Sequence, residues 1–157
     1  MSFNSTSVQR QHLIDIAYIK MAQTWSGLSH AIRKKVGALI VKNNTIIADG
    51  YNGTPSGFEN ECENPLFDAD GNFLDYETKW YVLHAESNAL AKVAKSTQSS
   101  EGSTLYVTMS PCRECSKLIL QAGIKRVVYS ESYRDSAGLD LLKKAGVDVV
   151  QILPESE

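Results

Sequence analysis

Leu105-Tyr106-Val107-Thr108-Met109-Ser110-Pro111-Cys112-Arg113-Glu114-Cys115 decides how the chain is read. The first five residues have the make-up of a buried strand. Pro111 has a fixed φ and no N–H to lose, so it suits the first turn of a helix over 112–121. Gly123 ends that helix. The alternation continues on both sides: a helix over 81–95 comes before, and a strand over 126–129, a helix over 136–145 ended by Gly146 and a last strand over 147–152 follow. Helix and strand in strict turn predict an α/β sandwich whose later strands are parallel and joined by right-handed crossovers.

Upstream, the β-branched runs 36–41 and 45–48 are joined by Lys42-Asn43-Asn44 and read as an antiparallel hairpin. Adding it gives a three-layer α/β/α arrangement, a mixed sheet of about five strands with helices on both faces. A further helix over 8–26 offers Leu13, Ile14, Ile16, Ala17, Met21 and Ala22 as its apolar face, and Gly27 closes it. Residues 1–7 read as a flexible polar lead. Residues 59–78, with several acids and the turn pair Asp70-Gly71, read as an irregular excursion or a short hairpin. No linker or repeat divides the chain, so 1–157 is read as a single domain.

The balance of residues excludes some classes of function. A formal net charge of −2 leaves no room for a broad basic surface, which argues against nucleic acid as partner, while a few local cations suffice for one phosphate. Three cysteines are an odd count, with two in C-x-x-C spacing. That pattern points to a reducing compartment and metal ligation rather than a disulfide framework. Residues 1–10 are polar, and no run approaches the length of a bilayer span, so a soluble, cytoplasmic protein is expected.

Cys112 and Cys115 fall at i and i+3, on one side of a first helical turn, where the helix dipole favours the thiolate. His84-Ala85-Glu86 opens the helix before. Two thiolates and an imidazole are ligands that zinc prefers, and three protein ligands leave a fourth position open for water. That makes the site catalytic, with Glu86 as the acid/base beside the water. On an ideal helix His84 and Glu86 diverge, so their convergence requires the non-helical geometry of a helix start. A structural zinc knuckle wants a fourth Cys or His, and neither Cys62 nor a histidine stands at paired spacing. Cys62 reads as a free thiol, and His12 and His30 receive no role. The loop 29–35, with His30, Arg33, Lys34 and Lys35, is either a solvated basic turn or a phosphate clamp.

The H-x-E and P-C-x-x-C pair is a signature of zinc-dependent nucleobase deaminases. Over about 29–150 the chain resembles the deoxycytidylate (dCMP) deaminases of the cytidine deaminase superfamily. The resemblance rests on Arg33 before Val36-Gly37-Ala38, on Gly50-Tyr51-Asn52-Gly53-Thr54-Pro55, and on His84-Ala85-Glu86 with Asn88-Ala89. It continues through Leu105-Tyr106-Val107-Thr108, Ser110-Pro111-Cys112, Cys115 and Ala122-Gly123-Ile124 to Tyr129 and Tyr133. It implies a cytidine-deaminase-like fold, one catalytic zinc held by His84, Cys112 and Cys115, and hydrolysis of dCMP to dUMP and ammonia for deoxynucleotide supply. Zinc would lower the pKa of water from about 16 towards about 7, with Glu86 passing its proton to N3 of the cytosine.

The same resemblance implies that Asn52 holds the sugar hydroxyl, Arg33 and nearby cations the phosphate, and Thr54, Ser110 and Tyr133 the rest of the nucleotide. It implies activation by dCTP and inhibition by dTTP, through a site near Gly50, Tyr51, Asn52, Gly53 and Asn88. It also implies a homo-oligomer, a hexamer or a dimer. Three departures stand out: Ala31 replaces a Cys common in relatives, 61–78 does not follow the usual pattern, and ligands for a second, structural zinc are missing. The alternatives are a bifunctional dCMP/dCTP deaminase, a polynucleotide or tRNA deaminase, and a catalytically silent nucleotide-binding regulator. Low charge weighs against the second alternative, and the retained Glu86 against the third.

Overall fold

Seven strands and four helices appear in the computed structural model, which describes residues 3–154. In chain order they are α1 (Phe3–Ser26), β1 (Gly37–Lys42), β2 (Thr45–Tyr51), β3 (Glu63–Phe67), β4 (Phe73–Thr78), α2 (Ala85–Ala94), β5 (Thr104–Met109), α3 (Arg113–Gln121), β6 (Arg126–Glu131), α4 (Ala137–Lys144) and β7 (Asp148–Gln151). Five of the strands form the main sheet in the order β2-β1-β5-β6-β7. β1 runs antiparallel to β2 and β5, and β5, β6 and β7 run parallel, as the alternation predicted. The β1–β2 turn is closed by Asn43 and Asn44 at φ 51° and 58°, the left-handed pair that a two-residue hairpin demands and that Asn tolerates.

Period-two alternation sorts the strand side chains into two cores. Ala38, Ile40, Leu105, Val107, Val127 and Tyr129 face α2, α3 and α4, meeting Ala85, Ala89, Val93, Ile119, Leu139 and Leu142. Leu39, Val41, Tyr106 and Val128 face the other way, against Ile19 and Ala22 of α1. Three helices therefore cover one face and α1 alone the other, which is the expected α/β/α sandwich. Each fully buried aliphatic side chain contributes about 1.5–3 kcal/mol.

α1 departs from its expected shape in two ways. It begins at Phe3, so residues 3–7 are helical where a flexible lead was expected; Met1 and Ser2 lie outside the described residues. Its buried face runs through Asp15, Ile19 and Ala22, while Leu13 and Met21 are 58% and 46% exposed. Asp15 can be buried because Arg126 of β6 grips both its oxygens at 2.7 Å. Tyr106 Oη (2.7 Å) and Gln11 Nε2 (3.0 Å) also donate to Oδ1. Among the described residues no helix is long and apolar enough to cross a membrane.

Residues 59–78 resolve into the short hairpin. β3 and β4 form a separate two-stranded sheet with Glu63 opposite Thr78. At its tip Gly71 adopts φ 83°, and the Asp68 carboxylate accepts from the amides of Asp70 and Asn72.

Candidate metal centre and substrate cavity

Two helix starts meet above the ends of the sheet strands to make the site. His84 is the N-cap of α2 with φ −72° and ψ 158°, extended backbone that turns its ring away from the helix path. Glu86 follows inside the first turn and is 4% exposed. This is the non-helical start that convergence of the two side chains required. Cys112 is in turn the N-cap of α3, extended at φ −71° and ψ 174°, and its Sγ accepts from the Cys115 amide at 3.5 Å.

His84 Nδ1 lies 3.5 Å from Cys112 Sγ and 3.4 Å from Cys115 Sγ. Zn–S bonds of about 2.3 Å and Zn–N bonds of about 2.0 Å at a tetrahedral angle separate the two donor atoms by about 3.5 Å. The donor set and its spacing thus fit zinc, with His84 ligating through Nδ1. Among the described residues these three form a group of His, Cys, Asp or Glu whose ligand atoms lie within 4.8 Å of one another. Glu86 stands outside the ligand set, free for a proton.

The electrostatics agree with that division. Hydrogen bonding from Cys115 and from His84 holds the Cys112 thiol well below its ordinary range, so the first thiolate forms there. Pairing with that thiolate, together with burial, pushes Cys115 up. The Cys112 contact raises His84. Burial pushes the Glu86 carboxyl up to about 7, against the lowering influence of its own backbone amide and of His84.

His84, Glu86 and Cys112 open onto a cavity of about 490 Å³, whose wall also includes Arg33, Lys34, Asn52, Glu63, Ser110, Tyr133 and Arg134. Arg33 and Lys34 of the loop after α1 line the cavity, while His30 and Lys35 lie outside its wall. Lys34 Nζ is tied to Glu131 at 2.5 Å. Asn52 accepts from the Val36 amide through Oδ1 (2.9 Å) and donates from Nδ2 to the Lys34 carbonyl (2.7 Å). Its side chain keeps one donor and one lone pair for a ligand. Ser110 Oγ accepts from the Tyr133 amide at 2.6 Å, so the serine positions the Tyr133–Arg134 segment.

Other expected residues lie elsewhere. Thr54 is outside the cavity wall, its hydroxyl donating to the Glu59 carbonyl at 2.5 Å. Gly50, Tyr51, Gly53 and Asn88 are outside it as well. Gly50 packs on α2 so closely that a Cβ there would meet the Ala85 carbonyl at 2.3 Å. Asn88 Nδ2 donates to the Tyr51 carbonyl (2.8 Å), and Gly53 exchanges two backbone bonds with Leu83 at 3.0 and 2.8 Å. These contacts brace the segment that presents His84.

Sequence reasoning missed Arg134 and Glu63. Arg134 follows Tyr133 and sits with its guanidinium 6.0 Å from the centroid of that ring, so a cation beside a flagged aromatic was the available signal. Glu63 hid among the acids of the 59–78 segment.

Fold and metal-ligand geometry together define a deaminase-type zinc site, and comparison with known proteins agrees. The cytidine and deoxycytidylate deaminase zinc-binding region matches residues 12–131. The chain belongs to that family. The deoxycytidylate deaminase of Enterobacteria phage T4 is 35% identical over 152 residues, covering 75% of this chain and 79% of its own. The human deoxycytidylate deaminase is 41% identical over 128 residues, covering 77% and 69%. Among solved structures, the dCMP deaminase of cyanophage S-TIM5 in complex with dCMP and dUMP superposes with a TM-score of 0.78 at 49% identity, covering 88% of this chain and 96% of that one.

Proposed function

We propose that the chain is a zinc-dependent hydrolase that converts dCMP to dUMP with release of ammonia. The observation that carries this is His84 Nδ1 within 3.5 Å of both thiols, with buried Glu86 beside them in a cavity that also holds Arg33, Lys34 and Arg134. The family relatives named deoxycytidylate deaminase, and the cyanophage enzyme solved with dCMP and dUMP, support the choice of nucleotide.

His84, Cys112 and Cys115 would hold the metal. When bound, zinc supplies Lewis acidity that makes water nucleophilic near neutral pH. Glu86 takes the proton that the water gives up on adding to C4 and delivers it to N3. The hydroxyl now on C4 gives its proton through the same carboxylate to the amino group, the C4–N bond breaks, ammonia leaves, and C4 keeps the oxygen as a carbonyl. Asn52 meets the sugar with its spare donor and lone pair, while Arg33, Lys34 and Arg134 answer the phosphate, with Tyr133 beside it.

Ammonia release and loss of cytosine absorbance across dCMP, dCTP, deoxycytidine and CMP test the assignment, with Glu86→Ala as blank. Turnover of dCMP that vanishes in the variant bears it out. A zinc-loaded chain inert on all four substrates overturns it, in favour of a nucleotide-binding regulator or a polynucleotide deaminase.

We extend the proposal to a cytoplasmic homo-oligomer that responds to dCTP and dTTP. Free cysteines support the reducing compartment. Sedimentation with and without each triphosphate tests both assembly and response.

A further inference from the structure

Glu63 is a buried carboxylate outside the metal centre that the chemistry above leaves unused. It opens β3, is 7% exposed, and lines the same cavity as Glu86. Its Oε1 accepts two hydrogen bonds from consecutive backbone amides, Ile32 at 2.9 Å and Arg33 at 3.2 Å. Its Oε2 is buried without a partner among the described residues. A carboxylate desolvated in this way is costly unless its charge is used, because each unmade bond of a buried polar group forfeits hydration. The two amide bonds are the return, and charge-assisted bonds of this kind are stronger than neutral ones.

The tether matters because of what it holds. Ile32 and Arg33 sit in the irregular segment between α1 and β1, with no ladder to fix their amides. Ala31 is buried beside them, but Ile32 is 63% exposed, so its own side chain does not anchor this stretch. What fixes it is a set of side-chain bonds: Ser29 Oγ to the Asn52 carbonyl at 2.8 Å, Asn52 to Val36 and Lys34, and Glu63 to Ile32 and Arg33. Asn52 thus secures the β1 end of the loop, and Glu63 secures the stretch that carries the Arg33 side chain into the cavity wall.

We propose that Glu63 is a positioning residue for the phosphate end of the site, fixing the Ile32–Arg33 backbone so that Arg33 is pre-set against a nucleotide monophosphate. This rests on the dCMP reading of the cavity. It gives the β3–β4 hairpin a function: Glu63 and its cross-strand partner Thr78 bring the base of that hairpin into the wall of the substrate site. Pre-set cations bind a phosphate better than mobile ones because less ordering is left for binding. The benefit should appear only with substrates that carry a phosphate.

The test compares zinc-loaded wild type, Glu63→Ala and Glu63→Gln on dCMP and on deoxycytidine, which lacks the phosphate. Glu63→Ala is expected to raise KM for dCMP about tenfold with kcat nearly held, and to lose far less on deoxycytidine. Glu63→Gln keeps a carbonyl acceptor for both amides and is expected to recover most of the loss. Equal losses on both substrates, or a fall in kcat alone, overturn the proposal. Amide hydrogen exchange is read on the same proteins. Protection at Ile32 and Arg33 is expected to fall selectively in Glu63→Ala while the amides of β5 and β6 keep theirs, and unchanged protection there overturns the proposal. Wild type inert on dCMP would refute the functional assignment separately, since the exchange result decides the tether without turnover.

Discussion

His84 Nδ1 stands 3.4 Å from Cys115 Sγ although 31 residues separate them and they start different helices. The two cores that flank the sheet do not need a metal to hold these starts together, since α2 and α3 are each anchored by their own apolar faces. Chelation should therefore abolish activity and leave the far-ultraviolet spectrum nearly unchanged. His84→Ala or Cys115→Ser should reduce bound zinc from about one per chain to little, measured by metal analysis. A chain that unfolds on losing its zinc would mean that the ion is structural.

Glu86 lies beside the ligands without being one, and that separates binding from turnover. Glu86→Gln preserves shape and burial but removes the proton carrier. It should bind zinc as wild type does and lose about 10²–10⁴-fold in kcat. Metal content and turnover on the same preparation decide the matter, and a variant that loses zinc in proportion to activity would place Glu86 in the ligand set.

Asp15 and Arg126 supply a pH-dependent contribution to stability. Burial raises the Asp15 carboxyl, but the bonds from Arg126, Tyr106 and Gln11 outweigh it and hold it below its ordinary value of 3.8. A carboxylate depressed in the folded state stabilises the fold above the unfolded-state value and loses that effect as pH falls through the folded one. Asp15→Ala should cost up to about 3–5 kcal/mol at neutral pH, because it removes the two-bond partner of the Arg126 guanidinium and leaves it only the exposed Asp148 at 3.2 Å. The gap in Tm between the two proteins should narrow as pH drops below 3.8. A gap independent of pH would mean that the loss is one of packing alone.

That ion pair also shows where sequence reading stops. The alternation around Leu105–Met109 was legible because period and punctuation are local, and so was the metal site, whose ligand types are restrictive. The face of α1 was only partly legible: Ala22 and Ile16 pack on the sheet as expected, whereas Leu13, Ala17 and Met21 are exposed and Asp15 and Ile19 take their place. An Asp mid-helix reads as solvent-facing, and its burial is offset by an Arg 111 residues away on β6 together with Tyr106 and Gln11. The 59–78 hairpin was only half legible, since Asp70-Gly71 marked its turn while its strands are almost wholly exposed and lack the apolar alternation that announces a strand. Arg134 and Glu63 escaped because the cavity gathers them from three-dimensional neighbours.

Gly50 separates two explanations of the Gly-Tyr-Asn-Gly stretch. A Cβ there would meet the Ala85 carbonyl at 2.3 Å and the Ala89 amide nitrogen at 2.7 Å, both backbone atoms that cannot rotate away. Gly50→Ala must displace α2, and with it His84 and Glu86. It should cost about 1–3 kcal/mol in stability and lower zinc occupancy together with kcat. A variant with normal stability and zinc but altered response to dCTP would instead favour an effector role.

The cations of the cavity are not equivalent, and their differences can be ranked in advance. Lys34 already has Glu131 at 2.5 Å, with both side chains about half exposed, so a phosphate must compete with a screened pair of small net value. Arg33 is pre-set by the Glu63 tether. Arg134 stacks by Tyr133, whose amide is held by Ser110, so it reaches the cavity from a braced segment. A planar guanidinium also gives a phosphate two parallel bonds where an ammonium gives a point charge. Arg33→Ala and Arg134→Ala should each raise KM for dCMP by about tenfold or more at near-constant kcat, and Lys34→Ala by less. The same three variants should scarcely differ from wild type on deoxycytidine. If Lys34→Ala proves the most damaging on dCMP, then the Glu131 pair breaks on binding and Lys34 is the principal phosphate anchor.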